Sequence, residues 1–155
     1  MKRIPVSALI GLVLTAAYFL GAIFADLLAP YGAADIVGDV WEPSSAAHWL
    51  GTDSIGRDLL SRMIHGGQVT IFVATVATML SFGVGAFLGF TAAVAGGWVD
   101  QALSRMVDLL MSIPALIMAL VILSVMPVTV TVLILVMGLI DSTRVFRLSR
   151  AVAAD

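Results

Sequence analysis

Four long apolar runs divide the chain and leave few folds open to it. They cover about residues 7–28, 69–95, 109–126 and 128–140. A helix that crosses a membrane needs about 20 apolar residues. The first two runs are long enough. The third is long enough if it begins near Gln101, and the fourth is long enough if it continues through Thr143. Pro127 predicts a turn between the third and the fourth. We therefore expect an all-α integral membrane protein with about four transmembrane helices.

Composition supports a membrane protein, because 61% of the 155 residues are hydrophobic and only 12% are charged. A soluble domain could not cover so much apolar surface with so few charges. The net charge of −2 gives no reason to expect nucleic acid as a partner. The chain has no cysteine, which excludes disulfides, thiolate metal sites and cysteine nucleophiles.

The basic residues predict the orientation of the chain. The first run follows Lys2 and Arg3, but its apolar core is longer than that of a signal peptide, so we expect a retained anchor helix. With the N-terminus in the cytoplasm, six basic residues lie inside and only Arg57 and Arg62 lie outside. This gives an N-terminal segment with the first helix (1–29), an extracytoplasmic loop (30–68) and a transmembrane core (69–155).

The second part of the outer loop predicts a short amphipathic surface helix, Ser54–His65. Thr52 or Asp53 could cap its N-terminus, and Gly66 with Gly67 could end it. Asp58 and Arg62 have the spacing of a favourable ion pair on that helix. The apolar residues that would share one face are Ile55, Leu59, Leu60, Met63 and Ile64.

The residues of this loop give little support for a metal-binding or catalytic site. His48 and His65 are far apart in sequence and have no third ligand at a metal-binding spacing, so no metal site is predicted. Ser54, Ser61 and His65 could form a hydrolase relay, but nothing indicates an oxyanion hole. A capped helix with structural turns is the favoured interpretation, with no catalytic residue and with the substrate-binding residues unknown.

Charged and small residues inside the apolar runs have a structural and a functional interpretation. Arg105 with Asp108, and Asp141 with Arg144, are spaced three apart near the predicted inner interface, which favours anchoring over a substrate role. Two further features bear on helix packing. The small residues Ser81, Gly85 and Gly89 predict close packing of the second helix, and Pro114 predicts a kink in the third.

Three segments resemble the second permease subunit of the dipeptide, oligopeptide and nickel ABC importers. The first is SSAAHWLGTDSIGRDLLSRMIHGGQVT, the second GGWVDQALSRMVDLLMSIPALIMAL and the third TRVFRLSRAV. They cover the chain from about Glu42 to Arg150, in the order and at the spacing of the family pattern. The residues that carry the resemblance are His48, Leu50, Gly51, Thr52, Asp53, Gly56, Arg57, Asp58, Ser61, Arg62, Gly66, Asp100, Arg105, Asp108, Pro114, Arg144 and Arg147.

The resemblance implies part of a type I ABC importer permease fold in the bacterial plasma membrane. Such a subunit forms half of a peptide pathway that works by alternating access. Its partners would be a second permease subunit, two ATPase subunits that bind ATP and magnesium, an extracytoplasmic substrate-binding protein, the lipid bilayer and a peptide substrate. The chain would bind no cofactor itself. The loop around Arg57 and Asp58 would form a rigid outer collar.

Two alternatives remain open at this point. One is an importer of the same family for nickel or another small solute, and the other is a non-transporting truncated or regulatory membrane fragment. Family members are about twice as long, with six helices and a cytoplasmic coupling loop after the fourth. Because the sequence stops at Asp155, it resembles an N-terminal portion of the family pattern.

Overall fold

The computed structural model describes residues 5–153, and this part of the chain contains six α-helices and no β-strand. The all-α prediction is confirmed. The chain divides into two compact units, one up to Phe72 and one from Val73 onward. The helices are α1 (Val6–Ile23), α2 (Ala25–Leu28), α3 (Leu59–Ala95), α4 (Gly97–Ser112), α5 (Ala115–Val125) and α6 (Val130–Ala153).

Helices α1 and α2 form from the first apolar run. Helix α1 has 18 residues and is apolar enough to cross a membrane. Its one threonine does not leave a polar group unpaired, because the Thr15 hydroxyl donates to the Gly11 carbonyl at 2.8 Å. The backbone leaves helical geometry at Phe24, and the single turn α2 follows. The predicted first helix is confirmed, with this break near its end.

Helix α3 begins at Leu59 and continues without interruption through Gly66 and Gly67. The predicted surface helix Ser54–His65 is therefore wrong as a separate element, and the predicted stop at the two glycines is wrong too. A glycine inside a helix costs only about 1 kcal/mol. The apolar run that follows is long enough to carry the helix on to Ala95, and α3 is the second helix that can cross a membrane.

Pro114 divides the third apolar run into two helices. The axes of α4 and α5 differ by 83° across this break. The preceding residue, Ile113, is extended, as the proline ring requires of its neighbour. The predicted kink is confirmed. Pro127 lies between α5 and α6 as predicted, and the Thr129 hydroxyl accepts the Val132 N–H at 3.3 Å to cap α6.

The number of spans is smaller than predicted. Within residues 5–153, α1 and α3 are long and apolar enough to cross a membrane. The number of candidate spans is three if the bent pair α4 and α5 is counted as one span. Helix α6, the predicted fourth span, is not among them. Its apolar first half is followed by Asp141, Arg144, Arg147 and Arg150, and charges of this number are costly in a lipid environment.

Helices α3 and α6 approach each other closely in the second unit, as the small residues on α3 predict. A Cβ atom at Gly85 would lie 2.6 Å from the Ser142 carbonyl oxygen, and one at Gly89 would lie 2.7 Å from the Phe146 carbonyl oxygen. Ser81, one turn earlier, is buried. Neither glycine position leaves room for a side chain, so the two backbones are in direct contact.

The core of the second unit lies where α3, α4 and α6 meet. Each of these helices contributes one fully buried apolar side chain, namely Ala92, Val107 and Phe146. Leu88 and Leu103 pack around them. This core fixes α4 beside α6 and so positions the charged residues of both helices.

Candidate functional site

The motif residues of the outer loop form a buried set of polar side chains, which we call the loop polar cluster. It lies entirely in the first unit, between the end of α2 and the first turns of α3. Five of its side chains are at most 6% exposed. The buried members are His48, Thr52, Asp53, Asp58 and Ser61, and the arginines bound to them are Arg57 and Arg62.

Asp58 is the centre of the cluster and is only 1% exposed. Its Oδ2 atom accepts the backbone N–H of Ser61 at 2.8 Å and the Ser61 hydroxyl at 2.7 Å. Its Oδ1 atom lies 3.1 Å from Nδ1 of His48. Asp58 therefore caps α3, which corrects the predicted cap at Thr52 or Asp53. The signal for this cap in the sequence was an aspartate directly before the apolar residues Leu59 and Leu60.

The pKa of the Asp58 carboxyl lies below its ordinary value. Burial alone raises that pKa, but the hydrogen bonds from Ser61 and His48 lower it by more. The carboxylate is thus held in its charged form. Because the Ser61 hydroxyl donates to Asp58 and not to an imidazole, the arrangement lacks the activated oxygen of a hydrolase.

Tyr31 joins the cluster from the start of the loop. Its backbone N–H donates to the Ser61 hydroxyl oxygen at 3.2 Å, and its ring centroid lies 5.4 Å from that of His48. These contacts could not be predicted from the sequence, because Tyr31 lies outside the motif segments. The contacts tie the beginning of the loop to the first turn of α3.

Asp53 binds both arginines of the cluster. Its Oδ2 atom accepts Arg57 Nε at 2.8 Å and also accepts Arg62, while Oδ1 accepts the backbone N–H groups of Ile55 and Arg57 at 2.9 and 3.1 Å. The predicted pair of Asp58 with Arg62 is therefore wrong. Burial raises the pKa of Asp53, but these hydrogen bonds and the Arg57 charge bring it well below its ordinary value.

Two motif glycines allow the loop to fold tightly around the cluster. Gly51 has a φ of +77° and Gly56 a φ of +78°. A Cβ atom at Gly51 would collide with the Glu42 carbonyl oxygen, and one at Gly56 with the Gly38 carbonyl oxygen. Only glycine satisfies both conditions. Gly66, by contrast, has open space around it inside α3, and the motif residue Leu50 is half exposed.

Thr52 connects the two sides of the loop. Its hydroxyl donates to the Asp39 carbonyl and accepts the Glu42 N–H, the latter at 2.8 Å. Together with the two glycines, this places residues 36–42 against residues 51–57. The loop polar cluster is therefore a fully bonded structural unit, and its chemistry is that of a rigid scaffold.

The motif residues of the second unit form ion pairs between helices. Asp100 on α4 binds Arg150 on α6, and Asp108 on α4 binds Arg147 on α6 at 2.6 Å. Asp108 therefore does not pair with Arg105, although the two are spaced three apart on α4. The predicted local pair of Asp141 and Arg144 is present at 4.0 Å, on the exposed side of α6.

An apolar groove of about 540 Å³ lies beside these pairs, on the α4, α5 and α6 side of the second unit. Its walls are almost entirely hydrocarbon and thioether, including Met106, Met118 and Met126. Such walls offer no partner to the polar backbone of a peptide. The groove therefore does not identify substrate-contacting residues.

No family model matches the chain. Its sequence is 31% identical to the dipeptide transport system permease protein of Haemophilus influenzae, over 93% of this chain and 51% of that protein. It is 30% identical to the oligopeptide transport system permease protein of Bacillus subtilis, over 90% of this chain and 47% of that protein. A third relative, the dipeptide transport system permease protein of Alkalihalophilus pseudofirmus, is 32% identical over 77% of this chain and 40% of that protein.

The chain thus spans about half the length, or less, of each of these relatives. The similarity extends over the loop polar cluster and the charged helices of the second unit. The resemblance inferred from the three motif segments is confirmed.

Proposed function

We propose that this chain, as a homologue of dipeptide and oligopeptide permease subunits, is part of the membrane-spanning permease of an ATP-driven peptide importer. The observation that carries the proposal is the sequence similarity over nine tenths of the chain to proteins with that name. The apolar helices α1 and α3 agree with a place in the membrane. In this proposal the chain contributes to one half of the peptide pathway.

In the proposed complex the chain works with separate proteins. A second permease subunit completes the pathway, an extracytoplasmic protein delivers the peptide, and two ATPase subunits bind ATP and magnesium. Transport would follow alternating access, in which ATP binding and hydrolysis shift the balance between outward-open and inward-open states. A location in the bacterial plasma membrane, with several crossings, belongs to the same proposal.

The loop polar cluster would serve this mechanism as a rigid outer collar. Its buried charges are all bonded within the loop, so the collar can keep its shape while helices move beside it. We assign Arg57 and Asp58 a structural role, since both are bound internally. Contact of the collar with the second permease subunit is part of the proposal.

The test is uptake in the bacterium that encodes the chain. Deletion of its gene should abolish uptake of a labelled dipeptide or tripeptide, and expression of the wild-type chain should restore it. The Asp58→Asn variant should restore uptake poorly, whereas Asp39→Asn, a change at an exposed loop position, should restore it fully.

The same strain separates the alternatives. Loss of radioactive nickel uptake with normal peptide uptake would mean that the cargo is nickel. Normal uptake of both would mean that the chain is not needed for transport and would overturn the proposal.

A further inference from the structure

Helix α4 carries the one arginine without a carboxylate partner among residues 5–153. Arg105 is exposed and makes no ion pair with any described residue. The other arginines of this range each bind an aspartate within 4.0 Å; they are Arg57, Arg62, Arg144, Arg147 and Arg150. Among residues 5–153, Arg105 is thus an unneutralised charge, whereas the other arginines are paired.

The charged residues in the described parts of α4 and α6 show which residue carries an unpaired positive charge. The described parts of these helices contain four arginines and three aspartates. All three aspartates are bound by arginines of α6. One positive charge therefore remains, and it is located at Arg105. Arg105 can therefore bind an anion from outside the chain.

The residues around Arg105 indicate which kind of anion it binds. Trp98, Gln101, Ala102 and Arg105 lie along one face of α4 and line an open depression of about 530 Å³. Trp98 is 80% exposed. A tryptophan and an arginine on one helix face are typical of the boundary between lipid hydrocarbon and water.

The position of this face agrees with that boundary. Helix α3 is long and apolar enough to cross a membrane and ends at Ala95, only three residues before Trp98. The first turn of α4 therefore follows directly on one end of a helix that is apolar enough to cross a membrane. A headgroup phosphate at this depth could reach the guanidinium, which binds phosphate oxygens in a forked geometry.

We propose that Trp98, Gln101 and Arg105 form a binding site for the headgroup phosphate of an anionic phospholipid. Arg105 supplies the charge, Gln101 an amide donor and Trp98 an apolar ring at the level of the glycerol and upper acyl chain. The site does not depend on which solute the protein transports, so it can be tested separately from the proposed function.

The test uses Trp98 as its own reporter. The chain has three tryptophans, so Trp41→Phe with Trp49→Phe leaves Trp98 alone. This full-length chain is placed in vesicles of phosphatidylcholine and phosphatidylglycerol in which one lipid or the other is brominated. Quenching then gives the relative association of the two lipids with the site. We expect a preference for phosphatidylglycerol of about fivefold, the effect of one basic residue at an anionic surface.

Substitutions identify the group responsible. Arg105→Gln should reduce the preference to about one, a loss of the same fivefold effect, and Arg105→Lys should retain most of it. Arg144→Gln is the matched control, because Arg144 is exposed but already paired with Asp141, and it should leave the preference unchanged. Helical content measured by circular dichroism shows whether each variant is folded, and Arg105→Met, which also removes the charge but keeps an unbranched side chain, provides the test if Arg105→Gln is not.

Three results would overturn the proposal. The first is equal quenching by the two brominated lipids. The second is a preference that survives Arg105→Gln in a folded protein. The third is loss of the preference when inorganic phosphate is added but not when sodium chloride is added at the same ionic strength, which would mean that the site takes a free anion and not a lipid.

Discussion

The carboxylate of Asp58 binds the imidazole of His48 at 3.1 Å through one oxygen and caps helix α3 through the other. These two residues are ten positions apart, and the tight turns at Gly51 and Gly56 bring them together. One buried side chain therefore fixes both the fold of the outer loop and the start of the longest helix.

The role of Asp58 predicts the effect of removing its charge. Asp58→Asn keeps the shape of the side chain but weakens its bonds to His48 and the Ser61 hydroxyl. Leaving a buried polar group poorly satisfied costs about 1–3 kcal/mol. We expect a Tm lower by several degrees for the purified protein in detergent. Asp39→Asn, at an exposed position of the same loop, should leave the Tm unchanged, and equal melting of the two variants would contradict the role given to Asp58.

The stability of the loop should depend on pH in the acid range. The pKa values of Asp53 and Asp58 are lower in the folded chain than their ordinary value of about 3.9. Both groups therefore stabilise the folded state above that pH and lose this contribution as the pH falls toward the folded pKa. We expect Tm to decrease steadily below about pH 4.

The Asp53→Asn variant tests this origin. Its Tm should be lower than that of the wild type at neutral pH but should change less between neutral and acid pH, because one of the two titrating groups is gone. A wild-type slope in this variant would show that other groups cause the acid sensitivity.

The contact between α3 and α6 predicts opposite effects for two glycines of one helix. A Cβ atom at Gly85 would lie 2.6 Å from both the Ser142 carbonyl oxygen and the Val145 Cβ, whereas one at Gly83 would meet nothing within 4 Å. Gly85→Ala should therefore destabilise the protein by about 1–3 kcal/mol through overpacking. Gly83→Ala should be neutral or stabilising by up to about 1 kcal/mol, since alanine favours a helix. Thermal melting of both variants, measured side by side, checks the contrast.

The orientation of the chain stays a prediction that cysteine labelling can test. The chain has no cysteine, so Ser54→Cys in the loop and Leu148→Cys on α6 each give a single reactive thiol. Both positions are exposed. If the basic residues set the orientation as expected, a membrane-impermeant maleimide should label Ser54→Cys in intact spheroplasts and label Leu148→Cys only after lysis. The reverse pattern would place the loop in the cytoplasm.

The apolar helices and their breaks could be predicted from the sequence. Runs of apolar residues predicted α1 and most of α3, because the backbone polar groups of such runs must be paired within the helix. Pro114 and Pro127 predicted the breaks on either side of α5, because a proline cannot continue the hydrogen bonding of a helix. The small residues at Gly85 and Gly89 predicted the close contact that α6 makes. These signals are local, because each of them lies within one short stretch of the chain.

The start of α3 and the pairing of the charges depend on the tertiary fold. The spacing of Asp58 and Arg62 permits a local ion pair, but Arg62 binds Asp53 and Asp58 binds His48. Likewise Asp108 binds Arg147 on another helix, and Arg105 has no carboxylate partner among the residues that the structure describes. A charge that has both a local and a distant candidate takes the partner that the packing brings closest. Spacing along the sequence shows only which local pairs are possible. Which pairs form depends on the tertiary fold.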